Sequence, residues 1–175
     1  KSNAYGHGLV KVASIIDKHI HAPYICVDSL FEAYELSKVG IKTPILILGY
    51  SFPENYHIWK KLNFTFSIFD IDSLRALGKY QPRAKVHLKV DTGMCRFGLT
   101  KSQLPTFIAE LKKYPHLQVE GIFSHLSQAD DLNKKSFTLN QAKQFKRMAS
   151  QFDQAGYQFK WRHLAATSAA SWFHD

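Results

Sequence analysis

A parallel α/β chain laid out as an incomplete (β/α)8, or TIM, barrel is predicted by three observations. Six short apolar runs recur along the 175 residues without the alternation of a half-exposed strand, the pattern of strands covered on both faces. Amphipathic helical stretches fall between successive runs, as the crossovers of a parallel sheet require. No repeat, low-complexity segment or interdomain linker interrupts the alternation, so residues 1–175 read as a single domain. A doubly wound sheet satisfies the same observations. The barrel is preferred, and read as incomplete, because a whole one has eight βα units in about 250 residues. This chain supplies six and opens on what reads as the end of a further strand.

The elements follow in order. Leu9, Val12, Ala13, Ile15 and Ile16 repeat at helical spacing until Pro23 breaks the pattern. Tyr24–Asp28 is the first strand. Ser29-Leu-Phe-Glu32 has the form of a capping box opening a helix that Gly40 closes. Strand 45–49 follows Pro44, and Pro53 with Glu54 suits the first turn of a helix carrying Ile58 and Leu62. Further strands are read at 64–69, 84–91, 119–125 and 159–165. The helices between them run over 71–77, 102–113 and 134–155, and another begins near Ser168.

Composition removes several function classes. Hydrophobic residues make up 45% and aromatics 14%, which is globular rather than disordered. Cys26 and Cys95 are too few for a disulfide framework or a cysteine metal site, and point to a reducing compartment. No apolar run is long enough for a membrane helix and no signal-peptide pattern stands at the start, so a soluble, cytoplasmic chain with no membrane partner is expected. A formal charge of +9 raises nucleic acid as a partner, but the lysines are scattered over helix faces and no RNA-binding aromatic motif accompanies them; no nucleic acid is expected.

Chemical groups gather where such folds keep their sites, at the carboxyl ends of the strands. Lys1 stands before the first helix, beside the turn Tyr5-Gly6-His7-Gly8, whose backbone N–H groups at a helix start are a natural seat for an anion such as phosphate. A lysine amine that can lose its proton forms Schiff bases with carbonyls, so a lysine next to a phosphate seat suggests pyridoxal phosphate. Lys89, Asp91 and Arg96 lie at and just past the end of one strand, His125 ends the next, and Thr167 and Ser168 follow the last. His19-Ile-His21 and Asp130-Asp131 read as solvated surface and no metal site is expected. Gly6-His-Gly8 lacks the third glycine and downstream acid of a dinucleotide fingerprint. His163 reads equally as a core histidine or a rim group.

Four blocks carry a resemblance: Lys1-Ser-Asn-Ala-Tyr-Gly-His-Gly8, Lys89-Val-Asp-Thr-Gly-Met-Cys-Arg-Phe-Gly98, Ser124-His125 with Ala129-Asp130, and His163-Leu-Ala-Ala-Thr-Ser-Ala-Ala170. In order and separation they resemble the blocks of the alanine racemases, over essentially the whole chain. The resemblance implies a fold-type III pyridoxal-phosphate barrel that interconverts L- and D-alanine by two-base proton transfer, supplying D-alanine for cell-wall peptidoglycan. It implies that Lys1 is the Schiff-base lysine and one of the two catalytic acid/base groups. Tyr5 and Ser168 would bind the cofactor phosphate and His125 would pack near the pyridine ring. Arg96 would lie beside the cofactor's phenolic oxygen and the substrate carboxylate. Lys89 matches a position carbamylated in some members, where it becomes an anion that can pair with Arg96.

The pattern has departures. The family's first strand, its last barrel strand and its C-terminal β-domain, which supplies the second catalytic tyrosine and much of a homodimer interface, have no counterpart. The chain therefore reads as part of a larger parent and is expected to be inactive alone. Ala166 and Thr167 stand before Ser168 where Asn-Ser is commoner, and Cys95 carries no expected chemistry. Two other readings are a single-barrel pyridoxal-phosphate homeostasis protein without racemase activity, and an amino-acid racemase of broad specificity.

Overall fold

The apolar runs become strands because their β-branched and aromatic residues fit a pleated, covered surface. In the computed structural model, which describes residues 2–57, 63–131 and 135–172, they are β1 (Ile25–Val27), β2 (Ile45–Ile47), β3 (Thr65–Ile68), β4 (Lys85–Lys89), β5 (Gln118–Phe123) and β6 (Trp161–His163). The helices are α1 (Leu9–His19), α2 (Leu30–Lys38), α3 (Ile71–Tyr80), α4 (Leu104–Leu111), α5 (Lys135–Gln154) and α6 (Thr167–Trp172). The six strands form one sheet in the order β1-β2-β3-β4-β5-β6. A doubly wound sheet reverses its order at a switch point, and a barrel does not. The sequential order therefore selects the barrel class. Pairing is parallel, with Leu46 opposite both Cys26 and Thr65 on either side of β2, and Phe123 opposite His163 between β5 and β6.

The chain divides into two compact units. The first comprises Lys1–Ser67, Arg75–Val86 and His116–Gln118; the second comprises Ile68–Leu74, His87–Pro115 and Val119–Asp175. In the first unit Ala33 and Leu36 of α2 are fully buried, as are the β2 residues Leu46 and Ile47, which makes the i, i+3 stripe of α2 the inward face. In the second, Gln141, Phe145, Met148, Ala149 and Phe152 mark one face of α5, and Phe152 meets Phe107 of α4 edge-on with ring centroids 6.3 Å apart. Burial of a side chain such as Phe152 contributes about 1.5–3 kcal/mol.

Element ends differ from expectation where side chains intervene. Thr100 directs both its N–H and its hydroxyl to Gln103 Oε1, at 2.8 and 2.9 Å, and the expected helix opens as a 3-10 turn, Lys101–Gln103. Pro53–His57 is likewise a 3-10 turn, while Ile58 and Leu62, expected on the same helix, lie outside the described residues. No described helix is long and apolar enough to cross a membrane.

Candidate active site

The first block folds into a turn of the wrong hand. Asn3, Ala4 and Tyr5 have φ of 54°, 51° and 56°, three successive residues in the left-handed region. Asparagine tolerates that region; for alanine and tyrosine the clash of Cβ costs about 1–2 kcal/mol each. The turn persists because hydrogen bonds converge on it. Asn3 O accepts from the N–H of Gly6 and Gly8 at 3.0 and 3.1 Å, Ala4 O accepts from His7 N–H at 3.1 Å, and Asn3 Oδ1 accepts from Leu9 N–H at 2.8 Å. These bonds also revise an expectation. The N–H groups of residues 6–9, expected to seat an anion, are directed into the turn itself, so Asn3 caps α1 and the glycines are not a phosphate cradle. Lys1 lies outside the described residues. Tyr5 is 77% exposed, its hydroxyl held out of the core.

The box expected at Ser29 forms only in half. Ser29 Oγ accepts from Glu32 N–H at 3.2 Å, but the Glu32 carboxylate does not return to Ser29. Its Oε1 accepts from Asn3 N–H at 3.0 Å and its Oε2 from Asp28 N–H at 2.9 Å, with the residue 8% exposed. A buried carboxylate thus ties the left-handed turn to the carboxyl end of β1.

In the second unit, β4 turns His87 and Lys89 to the same face. The Lys89 ammonium lies over three ring faces, with centroids 5.6 Å away in Phe69, 5.6 Å in Phe123 and 6.0 Å in Phe97. Beyond it the chain folds back on itself, with Leu99 N–H donating to Lys89 O and Asp91 N–H donating to Leu99 O, both at 2.9 Å. Inside that loop the Asp91 carboxylate collects the N–H groups of Gly93, Met94 and Cys95 at 2.9, 3.0 and 3.1 Å. It holds Cys95 in the left-handed region at φ 56° and presents the exposed Arg96. A carboxylate with three backbone donors is a rigid anchor, since each is a charge-assisted hydrogen bond.

His125 follows the end of β5 and is partly buried. Its segment is fixed by the fully buried Gln141 of α5. Gln141 Nε2 donates to His125 O at 3.2 Å, and its Oε1 accepts from Ser127 N–H at 3.0 Å. Thr92 and Ser124, both buried, share a hydroxyl hydrogen bond of 2.9 Å beside it. Ser168 is partly buried in the first turn of α6.

Beneath this rim lies a histidine pair. His87 Nδ1 and His163 Nε2 are 2.8 Å apart, and the His163 ring stacks on Phe123 at 4.7 Å and 4°. One nitrogen must donate and the other accept, which suits two neutral rings. Burial pushes both imidazoles down to about 4; for His87 the neighbouring His163 adds to this and Glu120 opposes it. Gly121 makes the room, since a Cβ there would stand 2.6 Å from the His87 ring.

Of the residues singled out by sequence, Tyr5 lies in the first unit with the segment of Lys1, and Lys89, Arg96, His125 and Ser168 lie in the second, each at or beyond the carboxyl end of its strand. Sequence reading missed the supporting groups Glu32, Gln141 and His87. Only His87 left a signal, because the alternation in Lys85-Val-His-Leu-Lys89 puts it on the face of Lys89. Among the described residues no group of three or more His, Cys, Asp or Glu could hold a metal ion.

Comparison with known proteins bears on the family of the chain. The family model "Alanine racemase, N-terminal domain" matches residues 1–175. An alanine racemase of Desulforamulus reducens is 38% identical, covering 100% of this chain and 48% of its own length. A protein of Enterococcus faecalis named amino-acid racemase is 36% identical over 95% of this chain and 24% of its own length. The crystal structure of alanine racemase from Bacillus anthracis with bound L-Ala-P superposes with a TM-score of 0.89 at 30% identity, covering 98% of this chain and 45% of that one. The chain thus spans about half the length of the alanine racemases it matches.

Proposed function

Because the chain belongs to the alanine racemase N-terminal domain family, we propose that the full-length protein is a racemase that interconverts L- and D-alanine with pyridoxal phosphate, as a cytoplasmic homodimer that supplies D-alanine for peptidoglycan. In this reading residues 1–175 are one barrel domain. The observation that carries it is the family match over every residue, with three of the four sequence blocks at the carboxyl ends of successive strands, β4, β5 and β6.

The residues present fit the cofactor in their donor chemistry. Tyr5 is exposed and Ser168 is partly buried in the first turn of α6, and each side chain carries a hydroxyl that can donate to a phosphate. His125, whose backbone carbonyl accepts from Gln141 Nε2, would pack its imidazole beside the planar ring of the cofactor. Pyridoxal phosphate, when bound, supplies the electron sink that makes the α-proton of an amino acid removable. Lys1 holds the cofactor and moves the proton at one face of the α-carbon through its amine. Arg96 offers a planar fork to the substrate carboxylate, and its anchored loop removes the entropy of placing a long side chain. A second acid/base group, from the partner subunit, serves the other face. Lys89 is the position for a carbamate, and the three ring faces around it argue for its ammonium form.

The test is racemisation of L-alanine by the full-length, cofactor-loaded protein, followed as D-alanine formed. Arg96→Met is expected to lower kcat/KM by about a hundredfold or more, and Arg96→Lys less, as loss of a bidentate charged contact predicts. No D-alanine from the unsubstituted protein would contradict the reading and favour a homeostasis protein that binds the cofactor without turnover. The similarity to an amino-acid racemase supports a second reading, broad specificity. Comparable kcat/KM on serine and alanine would establish it.

A further inference from the structure

Resting on the reading of Tyr5 as a cofactor-binding residue above, we infer that Glu32 is a positioning residue that acts through the left-handed turn to set the backbone from which Tyr5 projects. Tyr5 is itself the third left-handed residue, so whatever fixes this turn fixes the backbone of Tyr5. Its inner hydrogen bonds, from Gly6, His7, Gly8 and Leu9, set its shape but link it only to α1, the helix that continues it. Glu32 supplies a tie to the sheet. One oxygen holds Asn3 N–H and the other holds Asp28 N–H, the first residue beyond β1, across 29 and 4 positions of sequence.

The side chain is suited to this and to little else. It is 8% exposed, and its helix is capped without it by Ser29. Both partners are donors, so the site requires an acceptor at each oxygen. Glutamine, of the same size, would present an NH2 group to one N–H and lose the charge at the other. Aspartate keeps the charge but is one methylene too short to span both.

The measurements use the full-length protein. In the cofactor-free state, Glu32→Gln is expected to speed amide exchange of residues 3–9 while leaving that of β4 and β5 unchanged. On titration with pyridoxal phosphate alone, E32Q is expected to bind about tenfold or more weakly, the scale of one charge-assisted hydrogen bond, with Glu32→Asp between. Ala4→Gly removes the Cβ that opposes φ 51°, so adding A4G to E32Q is expected to recover most of the affinity. Exchange of 3–9 and cofactor affinity both unchanged in E32Q and E32D would overturn the role of Glu32. So would a loss that A4G leaves untouched, because Glu32 would then act other than through the turn. Titration of the unsubstituted protein separates this from the reading beneath it: no binding of pyridoxal phosphate overturns the cofactor reading and the positioning role together, whereas binding whose affinity ignores Glu32 overturns only the latter.

Discussion

Lys89 holds its ammonium among ring faces, at 5.6 Å from Phe69 and Phe123 and 6.0 Å from Phe97. The quadrupole of an aromatic face is negative, so it stabilises a cation there and repels an anion. A carbamate on Lys89 would turn attraction into repulsion. In the full-length protein equilibrated with 13C-labelled bicarbonate, no carbamate resonance dependent on Lys89 is expected; one that disappears in Lys89→Arg would refute this. The histidine pair makes a second residue-level prediction. Both imidazoles sit at about 4 in the fold against an ordinary 6.5, so the fold favours their neutral forms. The stability they contribute is complete above pH 6.5 and is lost as pH falls from there to about 4. For each imidazole this is on the order of 3 kcal/mol. Urea unfolding across that range should show the loss, and the double variant H87Q/H163Q should lack that part of the slope while being less stable at pH 7.

The loop from Asp91 to Leu99 shows how an element can be made rigid without being regular. It has no repeating hydrogen-bond pattern, yet one carboxylate takes three of its N–H groups and its two ends bond each other. Gly98 closes it at φ 129°, with the backbone at Asp91 N and Val90 C only 2.9 Å from where a Cβ would be. Gly98→Ala therefore combines a forbidden conformation with a clash against backbone, and a loss of more than about 2 kcal/mol is expected. Asp91→Ala should cost about 1.5–3 kcal/mol, from loss of charge-assisted bonds. In the full-length protein it should also raise KM for alanine, because Arg96 loses its fixed base. An unchanged KM in a folded Asp91→Ala variant would separate the loop from substrate binding.

At the scale of the whole molecule, the order of strands was legible because burial on both faces writes itself into composition. Ile45-Leu-Ile is buried at every position and reads as a continuous apolar run. The choice between barrel and doubly wound sheet was not legible in that pattern, since the two differ in which strands pair and not in what each strand needs; the sequential order decided it. The groups that carry chemistry were legible from their sequence blocks and places at strand ends. Their supports were not. Glu32 reads as half of a capping box and Gln141 as one polar residue on a long helix, because their partners are backbone atoms that sequence does not display. The left-handed turn was concealed in the same way: Asn-Ala-Tyr carries no glycine at the strained positions. The central claim is that Lys1, two residues before this turn in sequence, holds the cofactor. The direct measurement is borohydride reduction of the full-length, pyridoxal-phosphate-loaded protein, followed by proteolysis and mass mapping of the modified residue. The account requires the phosphopyridoxyl group on Lys1; finding it on Lys89 or any other lysine, or finding none, would contradict it.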